Sequence, residues 1–371
     1  MMGLFADLPR RALRTAWRIF APRLPRVALL SDNADWALDH VAGHLHAGVE
    51  ALVPGLSGRV ARLDGGGPAV VHFVSQYSVA SAPADLPARC LATTSFMHGR
   101  LDEHPDDRAI VATLRDRADL FPKIVVTTGI MAKALAERGI DPARIVRIPL
   151  GVDLRTFTPV DASTKATIRD RLGIPPDVFA VGSFQKDGDG WGEGDAPKLI
   201  KGPDVFCDAL VRAKKDLPVF AVLTGPARGY VKKRLDAAGI RYVHAFLKNK
   251  DDVIDYYRAL DTYLVASRVE GGPLSIVESW ATGTPLITTN MGMAPDIAVD
   301  EHNALVRDVD DAAGLAEALL RVASDSTLRA NIVAGGKVSV APHHWPRLAE
   351  RHLREVYAPT LTLLGLDPGL R

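Results

Sequence analysis

The sequence predicts an α/β protein of two Rossmann-like domains, each built on a parallel sheet. Three observations predict it. Short apolar, β-rich runs alternate with helical stretches along the chain instead of segregating from them. Several of those runs end in a glycine or polar turn that leads straight into a helix. The length of 371 residues is long for one core and comfortable for two.

Residues 1–25 stand apart. Phe5, Leu8, Leu13, Trp17 and Phe20 recur at roughly helical spacing, and Arg10, Arg11, Arg14 and Arg18 face only Asp7 in charge. A basic amphipathic helix of this kind suits an anionic membrane surface, or packs on its own domain. Residues 26–160 read as the first domain. Its strands fall at 26–30, 59–62, 69–74, 90–94 and 124–128, with helices at 37–52 and 130–138. His40 and His44 lie four apart on the first helix, yet no third ligand is evident and no metal is assigned. Residues 161–344 read as the second domain, with strands at 178–182, 219–223, 242–246, 262–267 and 285–289 and helices at 163–172 and 312–322. A helix from Trp345 onward occupies 345–371.

The stretch from Glu270 to Asn290, EGGPLSIVESWATGTPLITTN, is the centre of the second domain. The strand before it, the Gly271-Gly272 turn, Pro273 at a helix start and Gly283 at its stop aim a helix N-terminus above the sheet edge. Such a terminus is an anion site, because its N–H groups are free and its dipole end is positive. Glu270 and Glu278 flank the turn, eight residues apart, and offer acceptors for hydroxyls around that anion. Ser275 and Glu278 also have capping-box spacing, so Glu278 can instead tie down backbone N–H groups.

Downstream, Gly292-Met-Ala-Pro295-Asp296-Ile297 and Asp300-Glu-His-Asn303-Ala-Leu-Val306 resemble the "GG-x-P-E-I-V … G-x-N-G-x-L-V" segment of family 4 retaining glycosyltransferases. Ile148-Pro149-Leu150-Gly151-Val152-Asp153 is similar to that family's domain crossing, with Leu150 in place of the usual Asn, and the resemblance covers most of the chain. It implies the GT-B fold, in which two parallel sheets face each other across a cleft. By resemblance, Glu270 lies by the donor sugar, Gly271, Gly272, Pro273, Leu274 and Ser275 contact sugar and phosphate, and Glu278 takes the ribose hydroxyls.

The family's Gly-Arg and Lys-Gly cations correspond to Ser183 and to Lys201-Gly202, so the second cation is missing from its usual place. Lys186 is the first substitute and Lys198 the second, both on the glycine- and aspartate-rich segment Ser183–Gly202 that also holds Gln185 and Trp191. That segment reads as a flexible flap over the donor. His98, just past a strand end and followed by Arg100, is the acceptor-side histidine by resemblance, while Asp32, Asn33 and Trp36 replace the family's glycine pair in the first strand-to-helix loop.

Composition excludes several classes. Lys and Arg number 45 against 44 Asp and Glu, which leaves no global field for nucleic acid. Cys90 and Cys207 match no metal or redox spacing, and neither a membrane-spanning run nor a signal-peptide core is evident. The expectation is a cytoplasmic, peripherally membrane-associated enzyme that needs no metal or cofactor. It would move sugar from a nucleotide-diphosphate donor to a glycan, lipid-linked or small acceptor in surface polysaccharide biosynthesis. A nucleotide-sugar epimerase or a non-catalytic binding module of the same architecture are the alternatives.

Overall fold

The computed structural model describes residues 25–31, 37–63, 67–80, 86, 90–97, 101, 105–190 and 192–370. The segment 1–24, Asp32, Asn33, Trp36, His98, Arg100 and Trp191 lie outside the described residues. The chain divides into two compact units. The first comprises the described residues of Met1–Thr127 with Met131–Ile148 and Pro346–Arg371, and the second comprises Thr128–Ile130 and Pro149–Trp345.

The first unit holds a six-stranded, all-parallel sheet in the order β2-β1-β3-β4-β5-β6. Its strands are β1 (Val27–Leu30), β2 (Ser57–Val60), β3 (Val70–Phe73), β4 (Leu91–Phe96), β5 (Lys123–Val126) and β6 (Ile145–Arg147). Helices α1 (Ala37–Leu52), α2 (Pro105–Asp116) and α3 (Gly129–Ala136) accompany them. Both faces of the sheet are covered, so β1 reads as a continuous apolar run and β3 is buried at every position, His72 included, without alternation. The core gathers Val71, Phe73, Phe96, Ile110, Phe121 and Ile124, all nearly inaccessible.

The last helical stretch returns to this unit. Tyr357 and His352 pack edge-on and tilted around His72 of β3, with ring centroids 5.6–6.2 Å apart. His72 is wholly buried and meets Thr93 Oγ1 at 2.8 Å and Ser95 Oγ at 3.0 Å. Burial pushes its pKa down to about 3 and that of His352 down to about 4, so both pack as neutral rings.

The second unit carries another six-stranded parallel sheet, in the order β12-β11-β10-β7-β8-β9. Its strands are β7 (Phe179–Phe184), β8 (Val219–Thr224), β9 (Tyr242–Ala245), β10 (Thr262–Val265), β11 (Leu286–Thr289) and β12 (Leu305–Arg307). The helices up to β12 are α4 (Ala162–Leu172), α5 (Pro203–Ala213), α6 (Gly229–Ala237), α7 (Val253–Ala259), α8 (Leu274–Thr282) and α9 (Ala294–Ile297). Two more follow, α10 (Ala312–Ser324) and α11 (Ser326–Ser339), whereas α12 (Trp345–His352) and α13 (Ala358–Leu363), joined by a π-helical turn, Leu353–Tyr357, lie in the first unit from Pro346 onward. Asp161 and Asp325 cap α4 and α11, each accepting a backbone N–H through its side chain. The sheet order reverses between β10 and β7, the place where open α/β sheets bind ligands. The loops that leave these two strands carry the candidate site. No described helix is long and apolar enough to cross a membrane.

Candidate active site

β10 ends at Val265, and the chain runs through Ser267, Arg268 and Glu270 into α8. From β7 the chain runs through Gln185, Lys186 and Lys198 to a single 3₁₀ turn, Leu199–Lys201, and then Gly202 opens α5. Backbone pairing sews the two loops together: the N–H groups of Arg268 and Val269 both donate to Ile200 O, at 2.9 and 3.0 Å. The Arg268 guanidinium adds a bidentate pair to Asp204 at 2.7 and 2.8 Å, bonds Leu199 O at 2.6 Å and reaches Asp310 at 2.6 Å.

Gly202 makes this approach possible. Its φ is +61°, and a Cβ built on it would lie 1.9 Å from Ala266 O. No rotamer relieves a clash with backbone. Gly202→Ala is therefore expected to cost about 3 kcal/mol or more, read as a lower guanidinium midpoint in an equilibrium denaturation. A loss below about 1 kcal/mol, taken from the midpoint shift multiplied by the denaturant slope, would contradict the contact.

The turn delivers Lys201 to Glu270. The amine donates to both carboxylate oxygens at 2.6 Å, with the side chains 24% and 12% exposed. Ser267 Oγ donates to Glu270 Oε1 at 3.0 Å, and the Gln185 amide donates to Lys201 O at 3.1 Å. Gly292, in the loop after β11 at φ +57°, closes in so far that a Cβ there would meet Glu270 Cβ at 3.0 Å and Pro273 Cδ at 3.1 Å.

Pro273 occupies the N-cap of α8 without a capping side chain, and Gly283 stops the helix at φ +72°. The first-turn N–H groups, including those of Leu274 and Ser275, thus lack intrahelical partners and make a positively polarised end. The capping-box option for Glu278 does not occur. Its Oε2 instead accepts from the Tyr257 hydroxyl at 2.8 Å. Glu278 keeps part of its surface open, yet its carboxyl is enclosed by neighbours, and burial pushes its pKa up to about 7. Tyr257, Tyr263 and Phe184 pack at centroid distances of 4.8–5.1 Å behind it, and the Tyr263 hydroxyl accepts the Phe184 N–H at 2.9 Å.

Lys198 is partly buried, and its pKa is lowered by burial first and then by Lys201 and Lys186. Three amines therefore share one electrostatic neighbourhood, and an anion placed there would relieve their repulsion. Ser183 is buried and faces inward, bonded through its oxygens to Arg228 rather than to the site. Nor is the segment after β7 a free flap. A bridge pairs Gly188 with Pro197, and its Glu193 and Gly194 carbonyls accept the N–H groups of Gly229 and Tyr230 at 2.7 and 2.8 Å.

Among the donor-side candidates, Glu270, Lys201, Gln185 and Gly202 meet directly, Lys186 and Lys198 stand near them, and Gly271 to Ser275 form the turn into α8. Glu278 sits one turn further along. Ser267, Arg268, Tyr257, Tyr263 and Arg228 were not singled out by sequence reasoning. Only Ser267 and Arg268 carried a signal, as polar residues between a strand end and Glu270. Among the described residues, no group of three His, Cys, Asp or Glu side chains is arranged to hold a metal.

Residues 197–338 match the family model of glycosyl transferases group 1, and they contain Lys198, Lys201, Glu270, Glu278 and Gly292. Over that stretch the second unit belongs with the group 1 glycosyl transferases. A relative of this family from Xylanimonas cellulosilytica, a D-inositol 3-phosphate glycosyltransferase, is 30% identical over 263 residues, covering 67% of this chain and 56% of its own length. The lipopolysaccharide core biosynthesis mannosyltransferase LpsB of Rhizobium meliloti is 25% identical over 217 residues, 56% of this chain and 58% of that one. The chain thus spans little more than half the length of these curated relatives. Among solved structures, HepE of Anabaena, in complex with UDP-glucose, superposes with a TM-score of 0.73 at 16% identity, covering 89% of this chain and 99% of that one. Sucrose-phosphate synthase of Thermosynechococcus elongatus gives 0.72 at 16%, covering 92% and 100%. At that identity these likenesses show the fold alone, the GT-B fold, which this chain builds on two parallel six-stranded sheets.

Proposed function

We propose that this chain is a retaining glycosyltransferase that takes a sugar from a nucleoside-diphosphate donor, without a metal, and passes it to a hydroxyl of a glycan, lipid-linked or small acceptor. The observation that carries this reading is the Lys201–Glu270 pair at 2.6 Å, set beside the uncapped N-terminus of α8 and two further lysines. Breaking the anomeric C–O bond builds positive charge on the sugar and negative charge on the departing diphosphate. Lys201, Lys186, Lys198 and the first-turn N–H groups would stabilise the latter, a charge-neutralising role that a bound divalent cation plays in other transferases. Glu270 would orient the sugar hydroxyls, and Glu278 would accept the ribose hydroxyls.

Same-face attack, with the leaving phosphate oxygen taking the acceptor's proton, would retain the anomeric configuration and require no protein nucleophile. HepE, whose fold this chain shares, was solved with UDP-glucose, and the two relatives are named for inositol 3-phosphate and lipopolysaccharide-core chemistry. These names support a nucleotide-sugar donor and a hydroxylated acceptor. Surface glycoconjugate synthesis on the cytoplasmic side of a membrane, with segment 1–25 at the lipid surface, is the setting that fits.

A thermal-shift panel of nucleotides and nucleotide sugars tests the donor side, since a selective ligand raises the melting temperature. The binding should also depend on pH. With a Glu278 pKa of about 7, ribose hydroxyls that donate to the carboxylate favour its ionised form. The diphosphate of a nucleotide sugar does not titrate in this range, so affinity should fall about tenfold from pH 8 to pH 6, and Glu278→Gln should flatten that dependence. A flat wild-type profile, or no stabilising nucleotide sugar at all, would count against these roles.

A further inference from the structure

Behind the donor loops lies a cation that the proposed chemistry does not use. Arg228, between β8 and α6, is 1% exposed, and its side chain is wholly enclosed. Its guanidinium donates to the carbonyls of Ser183, Gln185 and Thr224 at 2.7, 3.0 and 3.0 Å, and to Ser183 Oγ at 3.1 Å. Its Nε lies 3.0 Å from Asp187 Oδ1, also buried, and neither Asp187 oxygen makes an aligned hydrogen bond. The Arg228 charge is the main attraction on the carboxylate, with weaker help from the Gln185 side chain and its own backbone N–H. A pair this deeply buried offers little net stability over apolar packing, because desolvation offsets the attraction. A fold that needed only stability would do as well with hydrocarbon.

What the pair grips is the root of one segment. Ser183, Gln185 and Asp187 lead out of β7, and Lys198 returns to the same place, its N–H donating to Asp187 O at 2.8 Å. The far end is pinned too, with Glu193 and Gly194 on the start of α6, and a Cβ on Gly194 would lie 2.2 Å from Ala227 O, beside Arg228. The two lysines of the segment flank Asp187 in this arrangement, and Gln185 connects the same root to Lys201 O.

We propose that Arg228, acting with Asp187, is a positioning residue that holds the 185–198 segment so that Lys186 and Lys198 stand beside Lys201 for a diphosphate. The guanidinium itself is sealed from solvent and touches no ligand. Its effect passes through the three carbonyls and the carboxylate. The inference rests on the diphosphate reading of the site, and the test separates the two.

The probe is inorganic pyrophosphate, titrated calorimetrically into the full chain and into Arg228→Lys and Asp187→Asn, with folding of each checked by circular dichroism. Arg228→Lys keeps the charge but loses the Nε contact with Asp187 and the Nη2 bond to Ser183 Oγ, and Asp187→Asn keeps the shape but removes the charge. Each is expected to weaken pyrophosphate about tenfold. A second readout is the alkaline pH at which binding fades. The amine of Lys198 faces Lys201, Lys186, Asp189 and Glu270. If the segment loosens, the lysine repulsion eases and the fade should move to higher pH in the variants, which general destabilisation would not do. If Arg228→Lys does not fold, the isosteric Asp187→Asn decides alone. Folded variants that bind within about twofold of wild type, or that weaken with an unmoved pH profile, would overturn the positioning role and leave the functional reading standing. Wild-type protein that binds neither pyrophosphate nor any nucleoside diphosphate would overturn both.

Discussion

Replacing Lys201 by alanine is expected to lower sugar transfer about 100- to 1,000-fold while the chain stays folded. The amine is the cation best placed for a departing diphosphate, 2.6 Å from both oxygens of Glu270 and only 24% exposed, so water replaces it poorly. Charge on the diphosphate grows toward the transition state, so kcat should fall more than the donor's KM rises. The backbone at this position remains anchored by the Gln185 amide and by the Arg268 clamp on Leu199 and Asp204. Steady-state rates with a donor identified by the panel check it. A rate within about tenfold of wild type would mean that the leaving group departs without this amine.

Glu270→Gln should separate two quantities that usually move together. The carboxylate holds Lys201 and accepts the Ser267 hydroxyl, so it competes with any phosphate for the amine. Its removal frees Lys201, and the affinity for a nucleoside diphosphate should hold or rise. Transfer should fall about 100-fold, because the amide no longer orients the sugar hydroxyls against the growing oxocarbenium charge. Loss of transfer and of nucleotide affinity in equal measure would recast Glu270 as a mere support for Lys201.

The sequence makes the fold legible because both sheets are parallel and covered on both sides. Apolar runs such as Val219–Thr224 then stand out without alternation, and the helix 37–52 was bounded as it is observed. Strand ends were less clear: β2 begins two residues earlier than its apolar run suggests, since its exposed arginine tells little about pairing. In the site, Gly202 and Gly283 were readable because positive φ leaves few alternatives to glycine. The role of Glu278 was ambiguous between capping and ligand contact, and the Tyr257 hydroxyl, brought from another helix, takes the place of the cap. Arg228 was hidden for the same reason. A buried arginine and an exposed one look alike in a string of letters, and two of its carbonyl acceptors, Ser183 and Gln185, lie more than forty residues away.

The most direct measurement is a crystal structure of this chain with a nucleoside diphosphate from the panel. The account predicts the diphosphate at the N-terminus of α8, with Lys201 Nζ moved from Glu270 onto a phosphate oxygen and the ribose hydroxyls on Glu278. A nucleotide lodged elsewhere, with the Lys201–Glu270 pair intact, would contradict it.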